Sequence, residues 1–132
     1  MSRRVARDEA VKILYQIAIQ KDTEPMDAYE PRKGLEEIDI SYIRSTVQGV
    51  LEKNDALVEK ISAHSQKRAV DRIPLLIMAI LKLALYEMEA LEDIPQSVSI
   101  NEAIELTKKY DSAEGGTFVN GILGAMIREQ EQ

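Results

Sequence analysis

Cysteine is absent from this 132-residue sequence, and histidine occurs once, as His64. The chain therefore has no disulfide framework, no thiolate metal site and no cysteine nucleophile. His64 follows a helical segment among serine and glutamine, so we interpret it as a solvent-facing helix terminus rather than a ligand or a base. Phosphate-binding and dinucleotide-binding glycine motifs are also absent. We predict no catalytic residue, no metal and no cofactor.

Long apolar runs are missing as well. The N-terminal MSRRVARDEA has two arginines but lacks the continuous apolar stretch that a secretory signal requires. The most apolar segment, residues 73–86, contains Pro74 and Lys82 and is too short to cross a bilayer comfortably. These absences predict a cytoplasmic protein without membrane contact.

Proline and glycine number only four and six, and they fall mostly between segments with a helical apolar period. No segment combines β-branched residues with strict alternation, which is the pattern of a strand. The sequence therefore predicts a single all-α domain over residues 1–132, a bundle of about six or seven helices.

The first predicted helix spans residues 3–20, with Ser2 as N-cap. Its apolar stripe comprises Ala10, Ile13, Leu14, Ile17 and Ala18. Residues 21–34 form a loop with a short helix near residues 27–29.

A second helical period, capped by Asp39 or Ser41, continues to Ile61, with a bend or break at Gly49 or Asn54. The segment 75–88 is apolar on nearly all sides, which indicates a central helix that begins near Pro74.

Two further helices are predicted near the C-terminus. Ser99 and Glu102 have the spacing of a capping box, at the start of a helix that ends near Tyr110. Gly115-Gly116 is predicted to break the chain, so that the last helix begins at Thr117.

Charge is unevenly distributed along the chain. The net charge is -6, which argues weakly against nucleic acid as a partner. Residues 1–12, however, contain four basic and only two acidic side chains. A basic end on an acidic body suggests one localised anion site.

Three segments resemble stretches that are characteristic of the NusB family. RRVARDEAVKILYQ at 3–16 is similar to the arginine-rich first helix of that family. AILKLALYEM at 79–88, followed by DIPQSVSINEAIELTKKY at 93–110, resembles its central helix and the turn and helix after it. FVNGIL at 118–123 resembles the start of its last helix. Their order and spacing extend the resemblance over the whole chain.

The resemblance implies a fold of seven helices in two small bundles, without catalytic activity. It also implies binding to boxA, a single-stranded RNA signal in ribosomal RNA leaders, together with NusE, a small-subunit ribosomal protein. The complex would help RNA polymerase pass terminators.

The arginines of the first segment suit this role. On a helix, Arg3, Arg4 and Arg7 can present their guanidinium groups to one side, and guanidinium donates two parallel hydrogen bonds to phosphate. The alternative is a surface ion pair between Arg4 and Asp8.

Tyr15 and Phe118 are candidate platforms for stacked bases, with the hydrophobic core as the alternative for both. Phe118 is predicted at a helix start, where backbone amides favour an anion. Thr117 and Asn120 are placed in the same RNA-binding set, and Asn120 is also expected to have a structural hydrogen-bonding role at this turn. The family commonly has a lysine at position 117, so one phosphate contact is in doubt.

Leu75, Leu76, Ile77 and Met78 occupy positions where the family tends to have charged residues. All four cannot point inward on one helix, so we predict an exposed apolar patch for a protein partner or a homodimer. The alternative is burial against the 21–38 loop. Two other functional readings stay open: a helical protein–protein adaptor without useful RNA binding, and an isolated module resembling the RNA-recognition domain of some RNA methyltransferases.

Overall fold

Helices account for most of residues 3–130, which are the residues described by the computed structural model. The α-helices are α1 (Arg3–Gln20), α2 (Glu24–Asp27), α3 (Glu37–Glu52), α4 (Asn54–His64), α5 (Leu75–Ala90), α6 (Gln96–Tyr110) and α7 (Ala113–Gln130). A 3₁₀ turn at Val70–Arg72 precedes α5, and the described range contains no strand. The prediction of an all-α fold with about seven helices is confirmed. Ser2, the predicted N-cap of α1, lies outside the described residues.

Helix α5 occupies the centre of the fold because it is apolar on nearly every side. It packs against α1 and α3 and also against α4, α6 and α7. Ile77, Ile80 and Leu81 on this helix are at most 1% exposed. Helices α1, α2 and α3 form one group and α4, α6 and α7 a second, and both groups share α5. No helix in residues 3–130 has the length and apolarity needed to cross a membrane.

The apolar stripe predicted for α1 faces the core. Ala10, Ile13 and Leu14 are buried, while Ile17 and Ala18 are partly covered. Helix α1 ends where Lys21 adopts a left-handed conformation with φ 61°. Its amide donates a 2.7 Å hydrogen bond to the carbonyl of Ile17, which satisfies one of the last helical carbonyls.

The second helical period divides into α3 and α4 at Lys53, directly before the predicted breakpoint Asn54. Gly49 lies within α3 and does not break it. Its lack of a side chain makes room for Tyr86 of α5. A Cβ at Gly49 would lie 2.2 Å from the Tyr86 ring. The predicted N-caps Asp39 and Ser41 are wrong, since α3 already begins at Glu37.

The capping box predicted for α6 is also wrong. Helix α6 begins at Gln96, directly after Pro95, and no side chain caps its first turn. Ser99 instead lies inside the helix with 2% of its surface exposed, and its hydroxyl donates a 2.9 Å hydrogen bond to Glu87. The Ser99 hydroxyl therefore binds a buried carboxylate of α5 and does not cap the start of α6.

Gly115 and Gly116 lie inside the first turns of α7, so the predicted break at these residues is wrong. The Gly115 amide donates a 2.9 Å hydrogen bond to Ser112 Oγ at the start of the helix. A Cβ at Gly115 would approach the Asp111 carboxylate to 2.5 Å, and one at Gly116 would approach Lys108 Cγ to 3.2 Å. The two glycines permit the close α6–α7 contact and do not interrupt the helix.

Candidate nucleic-acid interface

Arg4 presents an exposed guanidinium group on the first turn of α1. Its Nε and Nη2 atoms donate hydrogen bonds of 3.0 and 2.9 Å to the two carboxylate oxygens of Glu102 on α6. This hydrogen bond is the main reason that the pKa of Glu102 is lowered. The Arg4–Asp8 pair considered from the sequence is wrong, because Asp8 has other partners.

Arg3 lies beside Arg4 and is half-buried. Its guanidinium group lies over the ring of Tyr42, 4.5 Å from the ring centroid. A cation over an aromatic face keeps its N–H edges available while its plane is fixed. Arg3 and Arg4 are therefore the two arginines of α1 that reach the surface.

Arg7 is the clear correction to the predicted arginine set. It is 5% exposed, and it donates hydrogen bonds of 2.7 and 2.9 Å to the carboxylate of Glu87 on α5. A residue four positions after Arg3 lies about 40° further round the helix, and that rotation turns Arg7 toward α5. Its guanidinium group is occupied by Glu87, so it does not face a ligand.

Glu87 of α5 binds polar side chains from three other helices. It is 1% exposed and accepts hydrogen bonds from Arg7 of α1, Tyr42 of α3 and Ser99 of α6. Burial, followed by the charge of Glu87, raises the pKa of Tyr42 far above its usual value, so the phenol stays protonated. The cluster satisfies both carboxylate oxygens and anchors the first turns of α1 against the centre of the fold.

A second set of charged groups joins α1 to the end of α6. Asp8 accepts a 2.5 Å hydrogen bond from the Tyr110 hydroxyl and pairs with Lys12 and Lys109 at 3.0 and 3.4 Å. Sequence reasoning did not include Lys12, Lys109 or Tyr110 in the site. Two signals pointed to them: Lys12 belongs to the basic excess of residues 1–12, and Lys109 and Tyr110 fall at the C-terminus of a predicted helix.

A groove of about 340 Å³ runs between these helices. Its wall includes Arg4, Asp8, Glu102 and Lys109, with Arg32 from the loop before α3. Cations and carboxylates both line it, and Arg4, Arg32 and Lys109 already have carboxylate partners within the protein.

Tyr15 is half-buried and packs against the hydrophobic core. This placement fits the core alternative that the sequence left open. One part of the tyrosine remains accessible, and its contact with RNA stays a prediction.

Phe118 lies in the second turn of α7 and is partly buried against the hydrophobic core. The Arg68 guanidinium group covers its ring at 4.5 Å from the centroid. The expectation that Phe118 marks a helix start is wrong, because α7 begins five residues earlier, at Ala113, and Glu114 occupies its first turn. The helix start is therefore not a free anion site beside this ring.

Thr117 and Asn120 are both exposed on α7. The Thr117 hydroxyl donates a 3.3 Å hydrogen bond to the carbonyl of Ala113 within the helix. The side chain of Asn120 makes no hydrogen bond within residues 3–130, so the structural role expected for it is not seen there. In the same range, no hydrogen bond, ion pair or ring contact joins Thr117, Phe118 or Asn120 to the α1 arginines.

The predicted apolar patch is reduced by the fold. Leu75 is 50% exposed and Leu76 is half-buried, but Ile77 and Met78 are 1% and 7% exposed. The prediction that these residues are exposed is wrong for Ile77 and Met78, because α5 is enclosed by other helices. Leu75 and Met78 line a groove of about 350 Å³ shared with α1 and α3. Its wall contains no residue from the loop after Lys21.

His64 ends α4 and is half-buried rather than fully solvent-facing. Its Nδ1 atom lies 2.8 Å from the Lys60 carbonyl, and its Nε2 atom contacts Glu129 of α7. In the described residues, no three side chains of His, Asp or Glu are grouped to hold a metal ion.

A model of the NusB family matches residues 4–128. The chain belongs to the NusB family. Transcription antitermination protein NusB of Oceanobacillus iheyensis is 41% identical over 127 residues, covering 96% of this chain and 99% of that protein. The protein of the same name from Acetivibrio thermocellus is also 41% identical, over 130 residues, with 97% of this chain and 90% of that protein covered.

Solved structures share this NusB fold. The structure of T. maritima NusB superposes with a TM-score of 0.90 at 30% identity, covering 98% of this chain and 92% of that one. A complex described as antitermination factors NusB and NusE with dsRNA gives 0.82 at 22% identity, with 96% of each chain covered. At this level of identity, the NusB chain of the complex shows only that it has the same fold as this chain.

Membership of the NusB family confirms the resemblance inferred from the three sequence segments. Transcription antitermination, for which the relatives are named, is not an enzymatic activity, in agreement with the prediction that the chain is not an enzyme.

Proposed function

We propose that this NusB-family protein is an RNA-binding transcription antitermination factor. It binds boxA-type single-stranded RNA of ribosomal RNA leaders together with NusE, within the RNA polymerase antitermination complex in the cytoplasm. The observation that carries the proposal is the surface position of Arg3 and Arg4 on a NusB fold. The relatives named for antitermination, and a solved complex of NusB, NusE and dsRNA with the same fold, support it.

Binding through Arg4 requires an exchange of partners. A phosphate presents two oxygens to guanidinium in the same way as the Glu102 carboxylate does in the free protein. An RNA phosphate therefore either displaces Glu102 from Arg4 or shares Arg4 with it. The free energy lost with the Arg4–Glu102 ion pair partly offsets the free energy gained from the Arg4–phosphate contact. Because phosphate contacts release counterions, the affinity falls as salt rises.

NusE supplies part of the RNA surface in this proposal. The chain has a net charge of -6, and most cations along the α1–α6 groove already have carboxylate partners. A second protein that adds basic groups raises the affinity without a change in this fold. Self-association, also predicted from the sequence, is measured by sedimentation of the free protein.

Fluorescence anisotropy tests the proposal with a labelled boxA-like oligonucleotide and a scrambled control, with and without purified NusE. Selective binding that strengthens with NusE and weakens with salt supports it. Equal binding of both oligonucleotides in the presence of NusE rejects it. The variant for this test is Arg3→Ala/Arg4→Ala, with Arg7 left intact because that side chain is buried against Glu87.

The second candidate is a helical protein–protein adaptor. The pairing of Arg4 with Glu102, and of Lys12 and Lys109 with Asp8, favours it, because these cations already have partners. An adaptor keeps its affinity for NusE in the Arg3→Ala/Arg4→Ala variant and shows no RNA binding in the wild type. Isothermal titration with NusE, in parallel with the anisotropy, separates the two functions.

A further inference from the structure

The segment between α4 and α5, residues 65–74, runs back along α7. His64 contacts Glu129 near the end of α7, whereas Arg68 contacts Phe118, eleven residues earlier on the same helix. At the helical rise of 1.5 Å per residue, the positions on α7 that His64 and Arg68 contact are therefore about 16 Å apart. The hydroxyl of Ser65 donates a 2.5 Å hydrogen bond to the Arg68 carbonyl, which fixes the backbone at this arginine.

Three cations belong to this segment: Lys67, Arg68 and Arg72. None of them has a carboxylate within ion-pair distance among residues 3–130, although Asp71 is their neighbour in sequence. Lys67 and Arg72 are exposed and Arg68 is half-buried. This differs from the α1–α6 groove, where Arg4, Lys12 and Lys109 all have acidic partners.

Arg68 is held in a defined orientation. Its guanidinium group lies over the Phe118 ring, 4.5 Å from the centroid, and Phe118 is itself partly buried against the hydrophobic core. The arginine therefore covers one face of the ring that was predicted to stack on a base. A guanidinium plane backed by an aromatic ring can itself stack on a base, while its N–H edges donate to phosphate.

We propose that Arg68, supported by Phe118 and flanked by Lys67 and Arg72, is a second RNA-binding site of this protein. A base stacks on the Arg68 plane, and the adjoining phosphates bind Lys67 and Arg72. Phe118 acts as the support for Arg68. The site deepens the proposed RNA-binding function and rests on it. The cations of this site have no carboxylate partners within the described residues that RNA must displace. Each phosphate contact therefore contributes the free energy of its counterion release to binding without that cost.

The experiment compares Arg68→Ala, Arg68→Lys and Phe118→Leu with the wild type by anisotropy, using the boxA-like oligonucleotide and oligouridylate at several salt concentrations. Arg68→Ala is expected to weaken binding about tenfold, since stacking and a phosphate contact are both lost. Arg68→Lys recovers only part of this loss, because an ammonium group has no plane to stack. Phe118→Leu weakens binding less than Arg68→Ala does.

Arg44→Ala is the matched control, since Arg44 is an exposed arginine of α3 without an ion-pair partner in the described range. It is expected to stay within twofold of the wild type. Circular dichroism and thermal melting establish that each variant is folded. Lys67→Ala and Arg72→Ala each remove one phosphate contact. Each is expected to reduce the slope of log affinity against log salt concentration by about one.

The outcomes separate this inference from the proposed function. If the wild type binds both oligonucleotides equally and Arg68→Ala weakens both, boxA recognition fails but the Arg68 site stands. If the wild type selects boxA and folded Arg68→Ala binds within twofold of it, the Arg68 site alone is overturned. Wild-type affinity in Arg68→Lys also overturns it, because charge would then be sufficient. Absence of binding to either RNA rejects both.

Discussion

The guanidinium group of Arg7 and the carboxylate of Glu87 form two hydrogen bonds, 2.7 and 2.9 Å long, with their side chains 6% and 1% exposed. The two residues are 80 positions apart in the sequence. Buried charges of this kind cost desolvation energy, which close geometry and additional hydrogen bonds offset. Tyr42 and Ser99 provide those additional bonds.

Replacement of Arg7 by alanine leaves the Glu87 carboxylate buried without its cation. Breaking a buried pair in this way costs about 3–5 kcal/mol of stability. Urea denaturation followed by circular dichroism measures the loss. Arg4→Ala is the control, since that arginine is exposed, and its unfolding midpoint should stay near that of the wild type. An Arg7→Ala protein as stable as Arg4→Ala contradicts the structural role assigned to this pair.

Glu102 competes with RNA for Arg4. In Glu102→Gln, the negative charge beside Arg4 is removed while the shape of the side chain is kept. We expect RNA affinity to rise by about three- to tenfold at low salt, and the gain to shrink as salt screens the charges. Anisotropy at two ionic strengths measures both effects. Glu59→Gln on α4 is the control for net charge. A lower affinity in Glu102→Gln would instead mean that Glu102 orients Arg4 for phosphate.

Gly49 and Gly121 provide a matched pair of glycine-to-alanine changes within helices. A methyl group at Gly49 meets the Tyr86 ring at 2.2 Å, whereas one at Gly121 has no atom within 4 Å. Gly49→Ala should destabilise the fold by about 1–3 kcal/mol, because the ring must move. Gly121→Ala should stabilise it by up to about 1 kcal/mol through helix propensity. Thermal melting distinguishes the signs, and a shift in the same direction for both variants contradicts the prediction.

His64 should titrate above the usual value for histidine. The Lys60 carbonyl accepts from one ring nitrogen and Glu129 contacts the other, so both contacts favour the imidazolium and raise its pKa. The stability that this contributes is fully present below the unfolded pKa of about 6.5 and is lost as pH rises through the higher folded value. Proton NMR of this single histidine measures the pKa directly. In Glu129→Gln the pKa should fall toward 6.5; an unchanged value contradicts the pairing.

Helix positions were predictable because they depend on local apolar periodicity. The stripe of α1 and the all-round apolar surface of α5 appear in the sequence as they do in the fold. Helix ends were less predictable, as Ser99 shows. Its spacing from Glu102 suits a capping box, yet a buried glutamate on another helix binds its hydroxyl. Local patterns do not reveal a competing partner that is distant in sequence.

The candidate site was only partly predictable for the same reason. Arg3, Arg4 and Arg7 look equivalent in the sequence, and only the fold distinguishes their environments. Arg3 lies over the Tyr42 ring, Arg4 pairs with Glu102 at the surface, and Arg7 is buried against Glu87. Likewise, no local pattern relates Arg68 to Phe118, since the two meet through the packing of a connection on α7.

Helix α5 belongs to both groups of helices, and this has a consequence for how the protein unfolds. If α1 to α3 separate from α5, one side of an almost wholly apolar helix is exposed to water, and the remaining helices lose a rigid support. We therefore expect the two groups to melt in one cooperative transition. The amides of α5 should exchange with solvent only through global unfolding, while those of α2 exchange through local fluctuations.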